Sequence, residues 1–593
     1  MTPQPKNVIA SGTRRKSLRR GLLFCSLLAA GVVSAPALAH QDRDRDNGPV
    51  VNTNEGPVRG FVENGVNKFL GIPYAAPPVG ELRWQPPQPV ARWGGRPLDA
   101  TAFGNICAQT TTLGVFAGPA SIDEDCLYLN VFTTRLGAGH DGRGGGHDKR
   151  GGKNPVLVWI HGGGNVDGVS NDYDGSKLAT GGPGGSPTVV VTINYRLGLF
   201  GYLAHPALDA EGHLSDNYGI LDIQGVLRWV QRNIDSFGGD PDNVTLGGQS
   251  AGASDTGANV ISQLSEGLFH RAIFQSSPTS TYPPLSVGLT RGTNFAAAAG
   301  CPGTDAATAA CLRALSAPQI LQLQGTANAN GPYVTGPMVD GTIIPLTPQM
   351  AWSTGRFNRM PIMGGNVQDE GNFGIGITEY FSGPPQVPLT AAGYVANVTR
   401  TYSGMAGPGG TPPAYPSGAV AAVLAHYPLS NYATPQLAYD AVTTHPGACR
   451  ALHVDQLWSQ WVPVYAYEFN YQNAPYYFPP MPGFVPLAAH TIDIQFLFPG
   501  WHGGILGVNH TPQNTWTTGE ISGREITLSD QLVAAWTNFA RTGNPNGSGN
   551  SPWPIFTASS ANFLSENIPL STFTGAQFSA NHQCDFWNTL LVY

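Results

Sequence analysis

The chain has 593 residues, 41 % of them hydrophobic and only 12 % charged, with 76 glycines and 50 prolines. That is apolar material for a large core, joined by much ordered loop, and it excludes an intrinsically disordered chain. Acidic residues outnumber basic ones, and without the first 39 residues, which hold six bases and no acid, 25 basic residues face 38 acidic ones and the net charge is near −13; such a surface excludes nucleic acid and anionic lipid as natural partners.

Residues 1–39 read as an export signal. A basic stretch (Lys6, Arg14, Arg15, Lys16, Arg19, Arg20) precedes the apolar run Gly21 to Ala35, and Ala37-Leu38-Ala39 gives an A-x-A cleavage pattern. At about 15 residues the run is short of the roughly 20 that a membrane span needs, and no later stretch serves better. The expectation is therefore a secreted or periplasmic protein, by the general or the twin-arginine route. Residues 40–49 (HQDRDRDNGP) form a charged, apolar-free lead-in expected to be flexible. From Val50 to the end no linker interrupts the chain, which reads as one domain, 50–593. Cys25 leaves with the signal; the six remaining cysteines of an exported protein favour three disulfides, in any of 15 pairings.

The insert Gly137 to Gly152 (GAGHDGRGGGHDKRGG) lies between two strand-like stretches and reads as a surface loop. Its His140 and His147 have no cysteine and no fixed backbone nearby, so no metal site is assigned to them. The runs PVLVWI (155–160), TVVVTI (188–193) and VTL (244–246) are continuously apolar, as strands buried on both faces are. Between them, apolar residues at 223, 226, 227, 230, 234 and 237 share one helical stripe that Gly238-Gly239 ends. A second helix is expected over Ser529 to Arg541. This alternation reads as α/β, with a large, mostly parallel sheet covered by helices.

The strand VTL runs into Gly248-Gln249-Ser250-Ala251-Gly252. In so glycine-rich a chain, about 0.7 of a G-x-S-x-G match is expected by chance, so context must decide. A strand before the motif and small residues after it fit the sharp strand-to-helix turn that projects a nucleophilic serine at a sheet edge. A serine also needs a base and fixed donors for the oxyanion. His161-Gly162-Gly163-Gly164 directly follows the strand PVLVWI and supplies unobstructed backbone N–H groups. No Lys-Ser/Thr follows, which sets aside a nucleotide loop.

These motifs, with FLGIPYAAPPVGELRWQPP (69–87), EDCLYLNVF (124–132), NYRLGLFGYL (194–203), DGTIIP (340–345) and CDFWNTL (584–590), resemble the type-B carboxylesterase/lipase family, cholinesterase-like α/β-hydrolases. The resemblance runs from Val50 to the end. It implies the α/β-hydrolase fold, with the active site in a gorge at the carboxyl edge of the sheet, and the nucleophile on Ser250. It puts the acidic member on Glu370 of GGNVQDEGNF and the histidine on His490 of AAHTIDIQF. On chemistry alone Asp369 is as plausible a carboxylate as Glu370. The implied reaction is hydrolysis of small carboxylic esters through an acyl-enzyme, with the N–H groups of Gly163, Gly164 and Ala251 as oxyanion hole and no metal or organic cofactor.

The resemblance also implies the pairings Cys107–Cys126, Cys301–Cys311 and Cys449–Cys584 and a buried ion pair of Arg83 with Glu124. Where cholinesterases hold a tryptophan in the first disulfide loop and Glu before the nucleophile, this chain has CAQTTTLGVFAGPASIDEDC and Gln249, so choline esters are not expected. Asn165 stands where Phe is frequent and is expected to make the neighbouring pocket more polar or roomier. Tyr476, Tyr477 and Phe478 either line the gorge or pack on the body, and with Asn165 and Gln249 they are the candidate substrate-binding residues. The alternatives are a lipase of long-chain acylglycerols, which needs an apolar lid not evident here, and an adhesion protein without catalysis, whose relatives usually lack part of the triad.

Overall fold

The computed structural model describes residues 48–111, 118–137, 152–276, 281–326, 333–403, 415–478, 480–501, 521–547 and 550–591. The expected signal, most of the lead-in, and His140 and His147 lie outside these residues. Asn47–Tyr593 form one compact unit.

A small sheet joins β1 (Val50–Asn52), β2 (Pro57–Arg59) and β5 (Leu98–Asp99). Among the described residues the main sheet has eleven strands: β3 (Phe61–Glu63), β4 (Val66–Pro73), β6 (Tyr128–Thr133), β7 (Asn154–Ile160), β8 (Val189–Ile193), β9 (Gly239–Gln249), β10 (Arg271–Gln275), β11 (Ile362–Val367), β12 (Val464–Phe469), β13 (Asn562–Glu566) and β14 (Ser571–Thr574). Their order is β14-β13-β12-β11-β10-β9-β7-β8-β6-β4-β3, and the seven from β13 to β8 are mutually parallel. Antiparallel strands flank this block on both sides.

The apolar runs become parallel strands because both of their faces are covered. Val158 and Ile160 of β7 enter one hydrophobic cluster, which also holds Trp229, Phe274 and Trp458. Leu157 and Trp159 enter another, with Met363, Tyr467 and Trp536. Successive side chains of a strand point to opposite faces, so one sheet separates two cores. Each fully buried apolar side chain contributes about 1.5–3 kcal/mol.

The striped helix forms as α1 (Tyr218–Asn233), continued by a 3₁₀ turn Ile234–Phe237 and stopped by Gly238 at φ 80°. All six stripe residues are buried. The helix begins four residues before Asp222, which is also buried, held by Arg196 Nε and Nη2 at 2.7 Å each. Burial pushes the Asp222 carboxyl up and Arg196 opposes it. The other helices that position the site are α2 (Ala251–Ile261), α3 (Asn372–Tyr380), α4 (Pro435–Trp458) and α5 (Arg524–Thr542). The last contains the expected Ser529–Arg541 and ends at Gly543, φ 75°.

The three cysteine pairs are joined as Cys107–Cys126, Cys301–Cys311 and Cys449–Cys584. Arg83 Nε donates to Glu124 Oε2 at 2.6 Å, and its Nη1 donates to the carbonyl of Leu315 at 2.6 Å, so this buried pair ties the region before the first disulfide to the segment after the second.

Candidate active site

Ser250 sits between β9 and α2 with φ 57° and ψ −120°, a conformation costly for any residue with a Cβ. The surroundings enforce it. Ser250 N–H donates to the carbonyl of Gln275 on β10 at 2.9 Å. A Cβ on Gly252 would stand 2.1 Å from the carbonyl oxygen of Ile160, and one on Gly248 would stand 2.7 Å from the same oxygen. Only glycine at both positions lets the turn close against β7.

Immediately beyond Ile160, Gly163 and Gly164 take φ 115° and 62°. A Cβ on Gly163 would meet the Asp167 carbonyl at 2.0 Å, and Gly163 O accepts from the N–H groups of Val166 and Asp167, both at 3.1 Å. Among the described residues no protein acceptor takes the N–H of Gly163, Gly164 or Ala251. His161 itself is buried, stacked on Tyr195 at 4.7 Å, and burial pushes its imidazole down to about 4. A histidine held neutral and packed in this way supports the loop and does not transfer protons at neutral pH.

Glu370 lies just past β11, and its Oε2 bonds Nδ1 of His490, while its Oε1 accepts the Val367 N–H at 3.1 Å. Asp369 turns the other way. Its carboxylate accepts Ala488 N–H at 3.0 Å and Gln472 Nε2 at 2.9 Å, and its own N–H donates to Ala488 O at 3.0 Å. The two neighbouring acids thus play different roles, Asp369 strapping the His490 segment to the end of β11 and Glu370 meeting the imidazole.

Nε2 of His490, the imidazole nitrogen opposite Glu370, lies 3.2 Å from Gln249 Nε2. With Nδ1–H donated to Glu370, Nε2 carries the lone pair, and the amide of Gln249 donates to it. Burial disfavours the imidazolium, but the charges of Glu370 and, behind it, Asp493 outweigh burial and raise His490 above its ordinary value. Asp493 follows His490 by three residues and is itself buried. Burial and the Glu370 charge push it up to about 7, opposed by Gln275 Nε2, which donates to it at 2.7 Å. Asp493 is not among the residues that the sequence motifs single out, although its three-residue spacing from His490 in AAHTIDIQF is a visible signal.

Asn165, at φ 58°, donates its Nδ2 to Asp255 at 3.1 Å and accepts from Tyr195 OH at its Oδ1 at 3.0 Å, and all three residues are buried. Gln249 is also buried, against His490 and Gly162. Tyr477 and Phe478 are both buried, and Phe478 stands 6.4 Å from Phe373, whose ring lies 5.7 Å from that of His490. Tyr477 OH bonds Thr491 Oγ1 at 2.6 Å, which fixes the residue after His490. Tyr476 stacks on Tyr477 at 4.3 Å.

Among the described residues, no group of three His, Cys, Asp or Glu side chains is placed to hold a metal ion, and no helix is long and apolar enough to cross a membrane.

The family model described as "Carboxylesterase family" matches residues 47–587. The medium-chain fatty acyl-CoA hydrolase precursor of Anas platyrhynchos is 32 % identical over 570 residues, covering 91 % of each chain. The fumonisin B1 esterase of Sphingopyxis macrogoltabida is 32 % identical, over 89 % of this chain and 87 % of its own. Among solved structures, a thermophilic PNB esterase superimposes with a TM-score of 0.68 at 28 % identity, over 90 % of this chain and 99 % of that one.

Proposed function

The chain belongs to the carboxylesterase family and is a carboxylic ester hydrolase, and from that premise we propose that it is an exported serine esterase working through an acyl-enzyme, with Ser250, His490 and Glu370 as its triad. The observation that carries the reading is the Glu370–His490 bond at the sheet edge where Ser250 occupies its strained turn, with the side chain of Gln249, the preceding residue, already on Nε2 of the imidazole.

In this mechanism Gln249 yields Nε2, which takes the Ser250 hydroxyl proton as Oγ bonds the ester carbonyl carbon. The negative oxygen of the tetrahedral intermediate accepts from the N–H groups of Gly163, Gly164 and Ala251, each worth roughly 3–4 kcal/mol to the transition state. The bond to the alcohol oxygen then breaks, and the imidazolium gives its proton to the departing alkoxide. Water repeats the sequence on the acyl-enzyme and releases the acid. Glu370 holds the tautomer and stabilises the imidazolium. Residues 1–39 are the export signal in this reading and 50–593 the catalytic domain; the three disulfides suit an oxidising compartment.

The test is covalent labelling with an alkyl phosphonate ester followed by peptide mass mapping. One adduct on Ser250 is expected, together with loss of hydrolysis of a short neutral ester. Ser250→Ala is expected to abolish both while unfolding at the parental temperature. A folded parent that takes no label, or an active alanine variant, overturns the reading.

A further inference from the structure

A cleft of about 520 Å³ opens on the molecule where α1 faces the proline-rich segment that follows the motif LRW. None of its lining residues belongs to the site described above. Arg228 and Arg232 are one helical turn apart on α1, so both face the cleft with Gly225. Arg92 lies on the opposite wall.

The charge in this cleft is unbalanced in an otherwise acidic protein. Arg232 is paired with Glu55 at 3.2 Å, but Arg92 and Arg228 have no carboxylate partner among the described residues; Arg228 donates only a long bond to Gln224 at 3.4 Å. Three guanidinium groups therefore share one carboxylate, which Asn233 Nδ2 also occupies at 2.9 Å. Like charges four residues apart on a helix repel, and the partial desolvation of an otherwise exposed side chain together with Arg232 pushes Arg228 down from its ordinary value. An arrangement that stores repulsion between donors is relieved by an anion bound among them, and guanidinium groups suit the two oxygens of a carboxylate.

Beside these polar groups and the polar Asn54 and Gln88, part of the wall is apolar, formed by Tyr74, Ala75, Pro87, Pro89 and Val90. Tyr74 is buried with its hydroxyl donated to Asn194 O at 2.8 Å, and it lines the cleft at its floor. Pro87 packs over the helix, since a Cβ at Gly225 would meet its Cγ at 3.3 Å. Prolines hold this wall extended, and its ends are pinned by Ala76 N–H to Gln88 O at 2.8 Å and Trp93 N–H to Glu55 O at 2.9 Å. A preformed site loses little entropy on binding.

We propose that this cleft is a second ligand site, separate from the catalytic one, for an organic carboxylate carried on a flat apolar body. The volume suits a molecule of that size.

Isothermal titration of the mature protein with 2-naphthoate tests the assignment, with 2-naphthamide and inorganic phosphate as comparison titrants. Saturable binding of naphthoate is expected with a Kd below about 1 mM, weakening about tenfold or more in the Arg92→Gln/Arg228→Gln double variant, whose hydrolysis of a short neutral ester stays at the parental level. Both positions are exposed, so the variant is expected to fold. No saturable binding, equal binding of the neutral amide, or naphthoate binding that survives the double substitution overturns the site; phosphate binding as tightly as naphthoate overturns the organic ligand.

Discussion

The side-chain amide of Gln249 lies 3.2 Å from Nε2 of His490, the nitrogen that receives the nucleophile's proton in the mechanism proposed here. A neutral neighbour there leaves the basicity of the imidazole to burial on one side and Glu370 on the other. Gln249→Glu adds a second negative charge and stabilises the imidazolium further. The acid limb of kcat/KM for a neutral ester is expected to move up by about one pH unit or more. A limb that stays in place shows that this contact does not tune the base.

Glu370 and Asp369 are separable by substitution. Glu370→Gln removes the charge that holds His490 above its ordinary value, so burial then dominates and the remaining activity keeps its base to lower pH. Its kcat is expected to fall about 10⁴-fold. Asp369→Asn keeps one acceptor for Ala488 N–H or Gln472 and leaves the imidazole's carboxylate in place, so kcat stays within about tenfold while the melting temperature falls. The opposite ranking in steady-state kinetics would reassign the two acids.

Asp255 predicts a pH dependence of stability. Burial pushes its carboxyl up to about 7, opposed by Asn165 and Tyr195. Between about pH 4 and 7 the folded protein therefore holds a proton that the unfolded chain has released, and stability falls as pH rises through that window, by about 1.4 kcal/mol per pH unit for one proton. Below the window both states are protonated, and above it both are ionised. Asp255→Asn removes this slope, so urea unfolding of the variant is expected to lose less free energy between pH 5 and pH 7 than that of the parent.

The bridge Cys449–Cys584 closes 135 residues and joins α4 to the last helix, Cys584–Trp587. Replacing both cysteines by serine is expected to lower the unfolding free energy by about 2–5 kcal/mol, because the unfolded chain regains the freedom of a long loop. Ester hydrolysis at 25 °C is expected to persist, since neither cysteine touches the triad. Differential calorimetry and a rate assay on the same sample check both halves.

The strands of the parallel block and the stripe of α1 were legible because burial on two faces and burial on one leave different periods in a sequence. Ser250 was legible as a candidate from the strand and the small residues around its motif, whereas Glu370 and His490 were singled out only through resemblance. Nothing in the order of Asp369 and Glu370 says which carboxylate faces the imidazole; the parallel bridge of Asp369 with Ala489, a contact across 120 residues, decides it. For Asn165 the sequence shows a polar residue beside the glycine loop but not its buried partners Asp255 and Tyr195, which lie 90 and 30 residues away. The contact of Gln249 with His490, across 241 residues, was hidden for the same reason.

The contacts of Gly248 and Gly252 with the Ile160 carbonyl are made by backbone alone. Exchange of apolar side chains on either face of the sheet, at a cost in stability, therefore leaves in place the close approach that holds the Ser250 turn against the end of the strand Asn154–Ile160. About two thirds of the aligned positions differ between this chain and the relatives from Anas platyrhynchos and Sphingopyxis macrogoltabida.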